Sequence, residues 1–471
     1  MASLSTILFF IWIAAMLVAL WALRISQGFA SRMPKIAARV LEDAYPQVAV
    51  IVPIKGHDAD TPANLRAVLS QNYPPERWRL IFAVETADDP AVALIDQLVR
   101  ESAPPSSAKQ RRVRVAVAGL ATTRGQKIQN QLAAVALTDE TDDILVFMDA
   151  DAHPAPNWIH ALVIPLTYGP HIGATTGYRY YVPRITNGES PTYVAPGGSP
   201  GLEGSNTVNA IASVLNAGVA ALFGPYRRTF AWGGSMALRR SDFFGYAIYQ
   251  DWQNALSDDY VLAYGVKNGN VIHGPRPKIH FVPQCVVASD AQYTWPTFLE
   301  FAIRQYRITR ICAPWVWLAA ITGPILFLTG LLGPIIMAAT ILVRGIASPQ
   351  PFLVAPASWM DLINPTPLSP ALDLARLILM AASLYGMYLA RGLILCRGMM
   401  RLLPEHAPAI AGTRFWFTLG YPIAQAVNLL ALLGSSLGRR IVWRGVTYVM
   451  HSRTKTTVLR NTGIPDLPGT R

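Results

Sequence analysis

The feature that most constrains this chain is an uncharged apolar run at residues 4–23. In a helix that rises about 1.5 Å per residue, such a run spans about 30 Å, the hydrocarbon thickness of a bilayer. A cleavable signal peptide, the alternative, carries basic residues before a shorter apolar core. Here the basic residues follow the run: Arg24, Arg32, Lys35 and Arg39. The positive-inside rule therefore predicts a membrane anchor at residues 1–35, with its N-terminus outside and the next region in the cytoplasm.

Composition indicates a soluble domain joined to several membrane segments. Of 471 residues, 52% are hydrophobic and 14% are charged, which is too apolar for an ordinary soluble protein and too polar for a pure transporter. The net charge of +12 is typical of basic cytoplasmic flanks. No zinc-finger spacing or other nucleic-acid motif occurs, so no nucleic-acid partner is expected. The scattered cysteines form neither a disulfide framework nor a metal motif: Cys285, Cys312 and Cys396.

Residues 46–150 alternate strand-like and helix-like patterns. The predicted strands are 48–54, 80–84, 113–117 and 144–148, and the predicted helices are 62–71, 90–101 and 126–137. Repeated strand–helix units of this spacing predict an α/β fold with a mostly parallel sheet and right-handed crossovers. Such a fold suits nucleotide binding, although fold alone does not define function.

The strand at 144–148 runs directly into Asp149 and Asp151. It is apolar throughout, as expected of a strand buried on both faces. Ligands of open α/β sheets bind beyond the carboxyl ends of the strands. Two carboxylates there can hold a divalent cation, which in turn holds a diphosphate. The alternative is that both acids serve a turn or a helix cap.

Three other groups of polar residues are candidates for the same site. Asp88 and Asp89 follow the second strand, and Lys127 stands at a helix N-terminus that suits phosphate; a solvated loop is the alternative for each. Asp258 and Asp259 begin a later helix, where capping is the alternative. Arginines at i, i+3 and i+6 share one helix face, as a phosphate clamp or a stripe against lipid headgroups: Arg304, Arg307 and Arg310.

In this order the motifs resemble the ceramide glucosyltransferase family, membrane-bound family 2/21-type inverting glycosyltransferases with a GT-A catalytic domain. That family has three aspartates followed by an Arg/Gln-x-x-Arg-Trp motif. The matching residues are Asp89, Asp149, Asp259 and Arg304-Gln305-Tyr306-Arg307-Ile308, with isoleucine in place of tryptophan. Shorter matches are Lys127-Ile128-Gln129-Asn130, Gly233-Gly234-Ser235-Met236 and, near the C-terminus, Trp443-Arg444-Gly445.

The resemblance implies transfer of a hexose, expected to be glucose, from a UDP-sugar to the hydroxyl of a membrane lipid, expected to be ceramide. The implied ligands of Mg²⁺ or Mn²⁺ on the diphosphate are Asp149 and Asp151. The implied substrate-binding residues are Asp89, Lys127 and Asp258. The implied catalytic residues are the base Asp259, which takes the acceptor proton, and two arginines that stabilise the departing diphosphate: Arg304 and Arg307.

A lipid acceptor accounts for the membrane segments, since a soluble acceptor needs no bilayer anchor. Residues 313–317 are rich in tryptophan, as in an interfacial belt. Another lipid (hopanoid, diacylglycerol or polyprenyl phosphate), a processive polysaccharide synthase and a scaffold or transporter with a degenerate transferase domain are the alternatives. Few C-terminal segments and Ile308 disfavour a synthase, and the intact set of candidate residues disfavours a scaffold. The oligomeric state is left open.

Further apolar segments lie at 314–343, 377–390 and 415–437. Basic residues on both sides of the last segment favour the cytoplasm: Arg397, Arg401 and Arg414 before it, and Arg439, Arg440 and Arg444 after it. A single crossing would separate these two groups. Either 415–437 is re-entrant or interfacial, which we favour, or 314–343 is a hairpin of two short spans.

The expected organisation has five regions: 1–35, an anchor; 46–300, a GT-A domain; 298–312, a basic interfacial helix; 313–437, membrane helices; and 438–471, a cytoplasmic tail. Residues 185–206 are rich in glycine, proline and serine and predict a surface insertion between a strand at 178–182 and a helix at 208–222. We expect a multi-pass protein whose catalytic domain faces the cytoplasm, in a bacterial inner membrane or the Golgi.

Overall fold

The computed structural model describes residues 2–32, 45–102, 112–183, 206–224, 229–269, 276–347 and 370–460. The expected insertion at 185–206 lies outside these ranges except for its last residue, and Lys35 and Arg39 lie outside them as well.

The strands and helices alternate through the first half of the chain. The strands are β1 (Val48–Pro53), β2 (Trp78–Val84), β3 (Val113–Val117), β4 (Ile144–Met148), β5 (Ile172–Pro183), β6 (Ser235–Arg239), β7 (Lys278–Ala291), β8 (Arg440–Trp443), β9 (Val446–Ser452) and β10 (Lys455–Arg460). The α-helices are α1 (Ala2–Arg32), α2 (Thr61–Leu69), α3 (Pro90–Ser102), α4 (Gln126–Val135), α5 (Trp158–Tyr168), α6 (Asn206–Ala220), α7 (Arg240–Gly245), α8 (Ile248–Trp252), α9 (Asp258–Asn268), α10 (Trp295–Cys312), α11 (Pro314–Ala347), α12 (Pro370–Leu402), α13 (Ala407–Gly412), α14 (Arg414–Phe417) and α15 (Tyr421–Ser435).

The main sheet has seven strands in the order β3-β2-β1-β4-β6-β5-β7. Strands β3, β2, β1 and β4 run parallel to one another, and β5 runs parallel to β7. Strand β6 is antiparallel to both β4 and β5. The expected α/β class with a mostly parallel sheet is therefore confirmed, and the antiparallel strand β6 is the one orientation that the sequence patterns did not predict.

Both faces of the central strands are covered, which explains why these strands are apolar throughout. Every residue of β1 and β4 is buried. Val50 and its neighbours on one face pack with Leu65 and Ile95, whereas Ile51 on the other face packs with Ile128. Since parallel strands end at the same edge, the polar residues that follow β1, β2 and β4 meet there.

Three apolar helices are long enough to cross a membrane: Leu4–Arg32, Pro314–Arg344 and Leu372–Leu402. The expected membrane helices are thus present. The short segment predicted at 377–390 is part of a 33-residue helix, because the run continues past Arg376, which is buried and pairs with Asp373 at 3.3 Å.

The hairpin alternative for 314–343 is wrong, because α11 is one continuous helix that contains Pro324 and Pro334. The segment at 415–437 is divided between α14 and the 15-residue α15. At about 1.5 Å per residue α15 is about 22 Å long, too short for the usual hydrocarbon core. That length supports the re-entrant or interfacial alternative, whose course relative to the bilayer stays a prediction.

The C-terminal region folds into a second sheet, for which sequence patterns predicted only a tail. Strands β8, β9 and β10 form an antiparallel sheet, here called the tail sheet. Its buried side chains Ile441, Tyr448 and Met450 pack with Leu256 and Ile308. The tail sheet therefore contacts both α10 and the loop that leads into α9.

Candidate active site

The two acids that follow β4 are each paired with a basic side chain. Lys127 Nζ lies 2.7 Å from Asp149 Oδ1, and Arg179 Nη2 lies 2.5 Å from Asp151 Oδ1. Lys127 is on the first turn of α4, and Arg179 is on β5. The predicted strand end thus carries two carboxylates and two cations, which is the charge pattern of a site for an anionic ligand and its counter-ion.

Lys127 also connects Asp149 to the start of α9. Its Nζ lies 2.8 Å from Asp258 Oδ2, which also accepts a hydrogen bond of 2.9 Å from Gln131. Burial opposes the charge on Lys127, but Asp149 and Asp258 outweigh it and raise the lysine pKa above its usual range. Asp149, Lys127 and Asp258 therefore form one network, called the Lys127 bridge below.

Close packing at the Lys127 bridge explains part of the Gly-Gly turn before β6. A Cβ on Gly233 would lie 2.5 Å from Asp258 Oδ2 and 2.7 Å from Lys127 Nζ. Any side chain at this position would therefore displace the bridge. Gly233 in the motif at 233–236 therefore allows the backbone to pass close to Asp258 and Lys127. The same motif leads into β6.

The aspartates of β4 differ in their electrostatic surroundings. Burial raises the pKa of Asp149 despite Lys127. The pKa of Asp151 is also raised by burial, but Arg179 outweighs that effect and the net pKa is lowered. Asp151 is thus held as a carboxylate, and Asp149 depends on a nearby positive charge for its ionisation.

The residues at this strand end fit a divalent cation shared with a substrate. In the part of the chain that the structure describes, no group of three or more His, Cys, Asp or Glu side chains forms a metal site on its own. Mg²⁺ is commonly held by one or two carboxylates together with substrate phosphates. Asp149 and Asp151 supply carboxylate oxygens of that kind from a single strand end, so the donor set fits.

Asp259 lies at the first turn of α9, next to the Lys127 bridge. Its Oδ1 accepts hydrogen bonds from Ser257 Oγ and from the amide of Tyr260, the latter at 2.7 Å. Burial, followed by the neighbouring charge of Asp258, raises the pKa of Asp259 to about 6. A carboxylate with this pKa can accept a proton near neutral pH, which a general base requires.

Asp89 lies at the site edge, where its carboxylate binds backbone amides. It accepts hydrogen bonds of 2.9 Å from the amides of Gly56 and Ala91. These bonds join the loop after β1 to the start of α3, and Gly56 has a left-handed φ of 59°. The observed contacts describe a residue that shapes the loop, and nucleoside binding by Asp89 stays a prediction.

The arginines of α10 contact the tail sheet and the chain before it. Arg307 donates hydrogen bonds of 2.8 Å to the carbonyl of Arg440 and 3.2 Å to that of Gly434. Arg304 donates one long bond of 3.5 Å to the carbonyl of Val442. Arg310 donates to the carbonyls of Ser435 and Gly438. The three arginines share one face of α10, as predicted, and they donate hydrogen bonds to backbone carbonyls.

Sequence patterns missed two cations of this region. Arg179 is flanked by Tyr178 and Tyr180 in a mostly buried strand, and a charge in such a strand was a usable signal, since charged side chains are almost never fully buried unless they are paired. Arg444 was noted only in the tail motif 443–445 and in a basic flank, because its place near the site depends on the fold of the tail sheet.

An α/β domain whose strand ends carry paired acids and cations, joined to apolar helices, defines a membrane-associated enzyme with a site for a charged ligand. Residues 5–187 match the model of glycosyl transferase family 21. The resemblance indicated by the motifs is therefore confirmed over this part of the chain, which includes Asp89, Lys127, Asp149 and Asp151. The match covers less than half of the chain and ends before Asp259.

A relative with a short matching region is a ceramide glucosyltransferase from Candida albicans. It is 34% identical over 58 residues, which are 12% of this chain and 11% of the relative. The chain thus aligns with about a ninth of the length of that curated relative. Together with the family match, this similarity supports a glycosyltransferase.

Solved structures of two glycosyl-transferring enzymes are similar at low identity. A mannosyltransferase from Pyrobaculum calidifontis in complex with GDP-Man and Mn²⁺ is 16% identical, with 91% of this chain and 98% of that chain covered and a TM-score of 0.42. Glucosyl-3-phosphoglycerate synthase from Mycobacterium tuberculosis, with Mn²⁺, UDP-Glc and glycerol 3-phosphate, is 17% identical, with 53% and 73% covered and a TM-score of 0.29. At these scores, neither structure bears on the function of this chain.

Proposed function

We propose that this protein is an inverting, GT-A type hexosyltransferase that moves glucose from UDP-glucose to the hydroxyl of a membrane lipid, with ceramide as the acceptor. The observation that carries the proposal is the Lys127 bridge beside Asp259, at the strand ends of an α/β domain in a chain whose residues 5–187 match the family 21 model. In this arrangement cations for a diphosphate and a base for a hydroxyl lie side by side.

Asp149 and Asp151 are the residues that would hold Mg²⁺ or Mn²⁺. Such an ion neutralises negative charge on the diphosphate. Lys127 and Arg179 already lie 2.7 Å and 2.5 Å from the two acids, so both cations are within reach of a phosphate bound there. Asp258 supports this role, because it holds Lys127 from the buried side.

Asp259 acts as the general base in the proposed reaction. It takes the proton from the acceptor hydroxyl while that oxygen attacks the anomeric carbon and the bond to the UDP oxygen breaks. One displacement inverts the configuration and needs a single base. Asp89 is proposed to bind the nucleoside side of the donor from the edge of the site, through the loop that it holds.

Arg304 and Arg307 are proposed to stabilise the diphosphate as it leaves. Their contacts support this role to different degrees. Arg304 donates one long hydrogen bond to the tail sheet, which leaves most of its five donors for phosphate oxygens. Arg307 donates to two carbonyls, so its observed contacts support a role in holding the chain after α15.

A membrane acceptor is supported by the direct passage from α10 into α11. Helix α10 ends at Cys312 and α11 begins at Pro314, so the helix that carries Arg304 and Arg307 leads directly into a possible span. Trp315 is 81% exposed at this junction, as expected for an aromatic residue at a membrane interface. We propose a catalytic domain at 46–300 that faces the cytoplasm, in a bacterial inner membrane or the Golgi.

The test is lipid analysis after expression in a host that contains no glycolipids. With ceramide supplied, the wild-type chain should produce a hexosylceramide detectable by mass spectrometry, and the Asp259→Asn variant should not. Hexose found on another lipid would support hexosyl transfer to a lipid and contradict ceramide as the acceptor. An unchanged lipid profile with several acceptors supplied would contradict lipid glycosylation.

A further inference from the structure

The turn between β8 and β9 holds an arginine in an unusual backbone conformation. Trp443 pairs with Val446, so Arg444 and Gly445 alone form the turn, with φ values of 47° and 76°. Both residues are left-handed, which is the geometry of a type I′ hairpin and strongly favours Asn-Gly. For an arginine this conformation is strained. Strained residues of this kind cluster at functional sites, where the side chain is required.

Contacts with two other segments hold the tail sheet against the site. Arg304 and Arg307 of α10 bind the carbonyls of β8. The hydroxyl of Tyr448 on β9 accepts a 3.3 Å hydrogen bond from the amide of Gln126, the residue before Lys127. These contacts fix the tail sheet to the same helix start that carries the Lys127 bridge.

The Arg444 side chain is exposed and lies near the charged groups of the site. The carbonyl of Val442, two residues before Arg444, accepts a hydrogen bond from Arg304, and the positive charge of Arg444 adds to the burial that lowers the pKa of Arg304. Arg444 therefore lies near the first arginine of α10, on the sheet that Tyr448 joins to the residue before Lys127. Two neighbouring cations are well placed to bind one anion together.

We propose that the tail sheet is part of the active site and that Arg444 binds the diphosphate of the donor nucleotide through its guanidinium. This inference rests on the proposed function, because it assigns a residue to the donor of that reaction. A planar guanidinium suits two phosphate oxygens at once. The tail sheet then closes the donor side of the cleft, and the arginines of α10 keep it in place.

The decisive variant is Arg444→Asn, because asparagine suits the left-handed turn better than arginine while it removes the cation. The tail sheet should fold at least as well, so the unfolding temperature of the full-length protein in detergent should not fall. The matched control is Lys455→Asn. Lys455 is exposed at the start of β10, where it pairs with Ser452 at the far end of β9, about 20 Å away at about 3.3 Å per residue.

The measurement is calorimetric titration of each full-length protein with UDP in the presence of Mn²⁺. We expect the Kd of UDP to rise about ten- to a hundredfold in Arg444→Asn, as for the loss of hydrogen bonds to a charged group. Arg444→Lys should give an intermediate value, and Lys455→Asn should match the wild type. If Arg444→Asn binds UDP as the wild type does, the inference is wrong and Arg444 is only a turn residue.

The same titration separates this inference from the proposed function. A wild-type protein that binds UDP but transfers no hexose to any lipid contradicts the proposed acceptor, and the Arg444 comparison still decides the role of the tail sheet. A wild-type protein that binds neither UDP nor GDP contradicts the proposed function and this inference together.

Discussion

The Lys127 bridge and the face between α10 and the tail sheet both concentrate charge, but they do so in different ways. In the bridge, one lysine is shared by Asp149 and Asp258. At the α10 face, Arg304 and Arg307 donate to neutral backbone carbonyls. The bridge therefore pairs one positive charge with two carboxylates, whereas positive charge is left in excess at the α10 face. We infer that the Lys127 bridge sets the ionisation states of its acids and that the α10 face attracts and holds an anion.

The largest effect is expected from Asp259→Asn, which removes the proposed base beside the bridge. Turnover should fall by about 10²- to 10⁴-fold, the usual contribution of general acid–base catalysis. The donor Kd should change little, because Asp259 is proposed to act on the acceptor. Rates of UDP release with ceramide present, measured alongside UDP titrations, check both expectations.

A stability measurement on the same variant provides its control. The raised pKa of Asp259 means that its contribution to stability is complete below the unfolded pKa of about 4 and is lost as the pH rises through about 6. At pH 7.5 the carboxylate therefore weakens the fold, and asparagine should raise the unfolding temperature. An inactive variant that also unfolds earlier would point to structural damage instead of a lost base.

The second effect concerns the bridge itself. Lys127→Met would leave Asp149 and Asp258 without their shared cation, and removal of one partner from a buried charge pair typically costs about 3–5 kcal/mol. The free energy of unfolding in denaturant should fall by that order, whereas the exposed Lys455→Met should leave it unchanged. Equal stabilities would show that the two acids do not depend on Lys127.

The sequence allowed the first region to be predicted better than the second. The apolar run 144–148 and the helix start at 126 placed Asp149 and Lys127 at one sheet edge, because parallel strands follow short-range patterns. The partners of Arg307 lie at 434 and 440, more than a hundred residues away, and no local pattern specifies them. Arg444 illustrates the same limit, since its turn matters only after the tail sheet has docked on α10.

The third effect is the pH dependence of transfer. Because Asp259 must be ionised to accept a proton, kcat/KM should fall about tenfold per unit as the pH drops below about 6. Protonation of Asp259 at low pH abolishes the base, so activity is retained only above the pKa of Asp259. A profile of kcat/KM between about pH 4.5 and 8 should show this decrease. If kcat/KM does not fall at acidic pH, a group other than Asp259 accepts the proton.

The smallest effect is expected at the α10 face, from Arg307→Ala. Loss of two hydrogen bonds to the carbonyls of Gly434 and Arg440 should loosen the tail sheet by about 1–3 kcal/mol. Amide hydrogen exchange in β8 and β9 should therefore become faster, while exchange in the central sheet stays the same. The control is Gln305→Ala, an exposed residue on the same helix.

This measurement also distinguishes the two roles proposed for Arg307. If its main task is to hold the tail sheet, exchange in β8 and β9 increases and the donor Kd rises only because Arg444 becomes less well placed, so Arg307→Ala and Arg444→Asn should be far from additive. If Arg307 binds the diphosphate directly, the donor Kd should rise without faster exchange, and the two changes should multiply. The α10 face would then resemble the Lys127 bridge in binding its ligand directly.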